Sequence, residues 1–283
     1  MDKVRIQDDL FHYVNQEKLE ELVIPDDMPQ IGGFNTLHTE VEKLMIDEFN
    51  QMCESNTYPN EYLERACTLY MAVKNVKRRN RSGIRPALKH FEVIKELDGI
   101  DAFNKKLNYL IKNGYPLPFN VGVITDMKNT NSHCLAIQGP SVILPDASYY
   151  KPEMAPQKEA ILGIWANMAK MIMAETNLSS EEQEKYIADT LAFDSMLGNV
   201  VKTREEWSEY VKMYNPTKTQ KVASMLRPVT FEKLVKGLVK KLPETVIVTE
   251  PRYFKEFKKV FNKETFELYK HWAYVTGLIS ACD

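Results

Sequence analysis

The sequence predicts a mainly α-helical, multi-helix lobe with one short inserted β-hairpin. Apolar residues recur with helical spacing along most of the chain, as in Val41, Leu44, Met45, Phe49 and Met52. Ser179 with Glu182, Thr203 with Glu206 and Thr217 with Gln220 each have the spacing of a capping box, in which two side chains satisfy reciprocal backbone donors at a helix start. Two β-prone runs, Phe119–Thr125 and His133–Gln138, flank an Asn- and Thr-rich segment, Asp126–Ser132, that reads as a turn.

Taken in order, the stripe from Val41 to Met52 predicts a first long helix. A second presents Leu63, Ala66, Cys67 and Tyr70 on one face, which makes Cys67 a buried thiol. Lys77, Arg78 and Arg79 come near the end of a helix that Ser82-Gly83 would stop, where cations complement the negative pole. After the hairpin, Ile161, Trp165, Met168, Ala169 and Ile172 repeat the helical pattern. "TVIVT" at Thr245–Thr249 predicts a small strand between two prolines. Loops at 25–33, 82–86 and 145–156 are short and rich in Pro or Gly, as connections inside one unit are.

The chain has 283 residues, of which 44% are hydrophobic and 27% charged, a composition that can bury a core. Its formal net charge is -2, which gives no global attraction to nucleic acid or an anionic membrane. Neither an export signal nor a run of about 20 apolar residues is present, so a cytoplasmic location is expected, with signal-less surface display left open. The four cysteines lack any C-x-x-C pair and are expected as free thiols.

No catalytic constellation stands in the residues themselves. No two of the five histidines have the three-to-five-residue spacing of a zinc pair on one helix face. Glycines form no phosphate loop, and no G-x-S-x-G elbow appears. Glu181/Glu182 and Glu205/Glu206 fall in first helical turns, where the helix dipole favours them. The basic stretch Lys74–His90 lacks the interleaved aromatics of a nucleic-acid surface and reads as a solvated helix end.

Several ordered motifs do carry a resemblance. They are "QDDLFHYVN" (7–15), "VIP" (23–25), "GGF" (32–34), "NGYPLPF" (113–119), "DMKNT" (126–130), "GPSVILPDASYY" (139–150), "EYVKMYNP" (209–216) and "VIVTEPRYF" (246–254). In order and spacing the chain resembles the N-terminal half of the neprilysin and endothelin-converting-enzyme family of zinc metallopeptidases, closest to its bacterial endopeptidase O branch. The resemblance implies two mainly helical lobes enclosing a cavity. It also implies a zinc held by H-E-x-x-H and a later glutamate, with an N-A-x-Y segment binding substrate backbone. None of those motifs occurs here, so no catalytic or metal-binding role passes to any residue of this chain. Zinc is expected in the parent enzyme and not on this chain, whose "ASYY" at 147–150 is expected to anchor a loop.

The resemblance also marks candidate substrate-facing residues. Mammalian relatives place an arginine before G-x-F to hold a peptide's C-terminal carboxylate. Gln30 stands there, uncharged, and Asn35 and His38 also differ from the mammalian residues; Phe34 completes the group. Gln30 reads equally as a plain exposed loop residue; otherwise an endopeptidase acting on oligopeptides is implied. At Gln16 and Lys18 the family's usual glycine and tryptophan are missing.

The last helix bears two apolar stripes, Leu268, Trp272, Val275, Ile279 and Phe266, Tyr269, Ala273, Gly277, so it should be buried on more than one face. Each large side chain is worth roughly 1.5–3 kcal/mol on burial. The expectation is that further helices cover it, and that residues 1–283 are an incomplete N-terminal lobe whose partner is the C-terminal catalytic half, in cis or as a split enzyme. The alternative is a stand-alone helical module that binds peptides or a protein.

Overall fold

A computed structural model describes residues 4–28 and 30–282. The chain divides into two compact units, Met1–Ser82 and Gly83–Asp283, at a loop whose composition reads as an ordinary internal connection.

In the first unit, α1 (Leu10–Glu21) starts at Asp9, whose carboxylate accepts the His12 backbone N–H at 2.9 Å. The long α2 (Gly33–Ser55) contains the expected stripe and ends at Asn56 in the left-handed conformation, φ 50°. Asn60 then caps α3 (Glu61–Lys74) by accepting from Leu63 N–H, and α4 (Val76–Ser82) follows. Cys67 is buried as expected, and it is the one buried side chain among the described residues of this unit.

The second unit begins with α5 (Arg85–Lys95) and α6 (Ile100–Lys112) and runs into the hairpin of β1 (Asn120–Asp126) and β2 (Asn129–Gln138). After two short 3-10 turns come α7 (Ala155–Met173), α8 (Ser180–Gly198), α9 (Arg204–Ser208), β3 (Pro216–Lys218), α10 (Thr219–Met225), α11 (Phe231–Leu238), β4 (Thr245–Val248), α12 (Pro251–Val260) and α13 (Phe266–Ser280). The four strands form one sheet in the order β1-β2-β4-β3. β1 pairs antiparallel with β2 (Val121↔Ile137), β2 parallel with β4 (Ala136↔Ile247), and β3 antiparallel with β4 (Thr217↔Val246).

Two local expectations are corrected. The hairpin turn is tighter than the Asn/Thr-rich segment suggests, because β2 already begins at Asn129 and Asp126 accepts the Lys128 backbone N–H at 2.8 Å. Thr217 does not cap a helix: it lies in β3, and α10 starts after Lys218 with no side-chain cap. Sheet pairing with β4 takes the backbone that a capping box would have used. The other two boxes, at Ser179 and Thr203, are formed with both reciprocal bonds.

The terminal helix brings a larger correction. It is buried on more than one face, as its stripes demand, with Tyr269, Val275 and Leu278 fully enclosed and Trp272 5% exposed. Its cover comes from earlier elements of the same unit: α8 supplies Phe193 against Trp272 and Tyr186 against His271, while α5 presses Phe91 against Gly277. A Cβ at Gly277 would stand 2.3 Å from the Phe91 ring, so only glycine permits that approach. No further helices are needed to bury this one.

Candidate functional site

The four sequence candidates gather where the chain enters α2. Gln30 is exposed just before the helix, Phe34 is 91% exposed in its first turn, Asn35 is half-buried, and His38 is exposed one turn on. His38 Nε2 lies 3.1 Å from Glu42 Oε1, and Thr39 donates to the Asn35 carbonyl at 3.0 Å. Leu37, Val41, Leu44 and Met45 continue the apolar surface along the helix, each about half exposed. The patch offers an aromatic ring, an amide and an imidazole at the start of one helix.

The polar interior lies in the second unit, at positions that carry the family motifs. Glu250, 2% exposed, accepts Gly139 N–H and Lys202 N–H, each at 2.9 Å, so "EPRYF" is tied to the "GPSVILPDASYY" loop. Asp194 of α8 holds the same loop twice. It accepts Ile143 N–H at 2.9 Å and the Tyr150 phenol through a short hydrogen bond. Burial pushes the Asp194 carboxyl up to about 6 despite those donors, and it pushes Glu250 up as well. Gly198 lets α8 lie against Tyr150, since a Cβ there would be 2.3 Å from the ring. Arg252 clamps Glu206 with two nitrogens at 2.7 and 2.8 Å and donates to the carbonyls of Val200 and Val201. The phenols of Tyr253 and Tyr269 donate to the carbonyls of Pro118 and Pro116 in "NGYPLPF".

These bonds explain why the motifs recur at fixed spacing: they staple loops to helices. The expectation that "ASYY" anchors a loop is met at Tyr150, while Tyr149 is only half-buried. Spacing alone did not reveal Asp194 or Glu250 as the acceptors that organise the loop. Only an isolated acid amid apolar helix positions hinted at the first.

A cavity of about 850 Å³ in the second unit is lined by Asp98, Arg227, Lys258, Lys263 and Glu267 among others, and none of the four candidates borders it. Among the described residues, no group of three or more His, Cys, Asp or Glu side chains is disposed to hold a metal ion. The described donors therefore do not fit a zinc site, and no chemical step is assigned through one.

Residues 6–282 match the N-terminal part of Peptidase family M13, and the chain belongs to that family. Its relatives are neutral endopeptidases. That of Lactococcus lactis subsp. cremoris is 32% identical over 269 residues, covering 95% of this chain and 42% of the relative. Neprilysin of Oryctolagus cuniculus is 21% identical, covering 96% of this chain and 40% of its own length. Among solved structures, PepO from Lactobacillus rhamnosis superposes with a TM-score of 0.87 at 24% identity, over 98% of this chain and 44% of that one. The zinc metalloprotease Zmp1 of Mycobacterium tuberculosis gives 0.83 at 22% identity, over 99% and 43%. The chain thus spans less than half the length of the relatives it matches. Among the described residues no helix is long and apolar enough to cross a membrane.

Proposed function

We propose that this chain is the N-terminal, non-catalytic lobe of a zinc metalloendopeptidase that cleaves oligopeptides. In this reading it walls the substrate cavity and limits substrate size, while zinc and the catalytic groups belong to the C-terminal half that longer relatives carry. The observation that carries the reading is the family match from residue 6 to 282 combined with coverage of only 42% of the Lactococcus relative. Gln30, Phe34, Asn35 and His38 are assigned to the substrate-facing wall. Support comes from the exposed ring of Phe34 and from the uncharged Gln30, which offers no cation to a peptide's C-terminal carboxylate and so favours internal cleavage.

The test is reconstitution. The chain alone should not cleave an internally quenched oligopeptide, and adding the C-terminal half of the Lactococcus enzyme, in cis or in trans, should produce cleavage that a chelator abolishes. Chelator-sensitive cleavage by the isolated chain would overturn the division of labour. A second reading, a stand-alone helical module that binds peptides or a protein, draws on the closed core of Gly83–Asp283. It predicts peptide binding by the chain alone that the C-terminal half does not strengthen.

A further inference from the structure

The first unit contains a pair of thiols that the proposed peptidase role does not use. α2 and α3 are joined by the short Asn56–Asn60 connection and therefore form an antiparallel helical hairpin. Its register is read from Asn50, whose side-chain oxygen accepts the Tyr70 hydroxyl at 2.9 Å and the Lys74 ammonium at 2.7 Å, and from the stacked rings of Phe49 and Tyr70, 5.3 Å apart. Three residues on from Asn50 along α2, and three back from Tyr70 along α3, stand Cys53 and Cys67. The register therefore sets the two thiols opposite each other across the helix interface. The electrostatics agree with that register: burial pushes the Cys67 thiol up, the Cys53 thiol beside it acts in the same direction, and the Tyr58 phenol in the connection is raised by burial and by both sulfurs.

We propose that Cys53 and Cys67 are a dithiol–disulfide couple that staples α2 to α3 when the chain meets a low-molecular-weight disulfide such as oxidised glutathione. The two positions divide the work. Cys53 is half-buried and reachable from solvent, whereas Cys67 is 1% exposed and shielded. The Cys53 thiolate attacks one sulfur of the oxidant, forming a mixed disulfide and releasing one glutathione thiolate. Cys67 then gives its proton to water or buffer, attacks the Cys53 sulfur and expels the second glutathione. Two protein thiols are oxidised to one disulfide as one glutathione disulfide is reduced to two thiols. The two other cysteines belong to the second unit: Cys134 lies in β2 and Cys282 follows α13. The staple falls where non-covalent packing is thinnest, in the unit with a single buried side chain among its described residues, and it fixes the helix whose first two turns carry Phe34 and His38.

The full chain would be equilibrated with graded ratios of oxidised to reduced glutathione, quenched in acid, alkylated under denaturing conditions and digested. The four alkylatable thiols should fall to two. Intact mass before alkylation should drop by about 2 Da, and one cross-linked peptide should join the segments around positions 53 and 67. A Cys134→Ser/Cys282→Ser double variant should still form the link, and Cys53→Ser should leave Cys67 fully alkylatable. Four alkylated thiols at every ratio, a product that stops at a glutathione adduct on Cys53, or a link involving Cys134 or Cys282 would each overturn the proposal.

Discussion

Met1–Ser82 and Gly83–Asp283 are built from helices of similar apolar periodicity, yet they bury them in opposite ways. In the first unit Val41, Leu44 and Met45 form a regular stripe on α2 and remain 45–61% exposed. In the second, the stripe of α13 is enclosed by α5, α7 and α8, around aromatic residues such as Phe103, Phe261 and Tyr269 that stand edge to face. Periodicity marks the face that gains from cover; it does not say what provides it.

The largest test of this contrast is removal of an aromatic from the second unit's core. Phe103 is fully enclosed against Phe261, Phe266 and Tyr269. Phe103→Ala should cost about 3–5 kcal/mol in denaturant unfolding, since it loses both the buried ring and its packing. A cost below about 1 kcal/mol would mean that this core is loosely formed in solution.

Next in size is a pH effect set by Asp194. Burial raises its carboxyl from 3.8 to about 6 in the folded chain, so between those values the folded state holds more protons than the unfolded one. The contribution of this group should be greatest below about pH 4 and fall as pH rises through about 6, by roughly 2–3 kcal/mol. Glu250, also raised by burial, acts in the same direction. His271 opposes them: burial lowers its pKa despite the 2.6 Å bond to Asp189, so its contribution is lost as pH falls below 6.5. Asp194→Asn should flatten the slope between pH 4 and 6. An unchanged slope would remove Asp194 from the account. Close behind, Tyr150→Phe takes a donor from a buried carboxylate and should destabilise by roughly 1–3 kcal/mol, with the loss shrinking as pH falls and Asp194 takes up a proton.

These sites show what the sequence made legible. The helices, the hairpin, the strand at 245–248 and two capping boxes follow from local patterns, because each rests on side chains a few residues apart. Ser179→Ala should accordingly cost about 1 kcal/mol, as loss of an isolated N-cap does. What escaped depends on distant partners. β3 forms because β4 lies beside it, the cover of α13 comes from helices α5, α7 and α8, and Glu250 reaches Gly139 from far along the chain. The candidate residues at the start of α2 came from motif resemblance alone; their exposure required coordinates.

The smallest expected effect is the one that separates the two units most sharply. Phe34 is as large an apolar side chain as Phe103, and on composition alone the two would count equally. At 91% exposure Phe34 has almost no burial to lose, so Phe34→Ala should change the stability of this chain by no more than about 0.5 kcal/mol. In the reconstituted peptidase the same substitution should weaken cleavage of oligopeptides, mainly through KM, if the ring lines the substrate wall as proposed. Loss of more than about 1 kcal/mol from the isolated chain would show that the ring packs against its own unit in solution. The exposed stripe of α2 would then be part of a core, and the contrast drawn between the two units would fail at its clearest point.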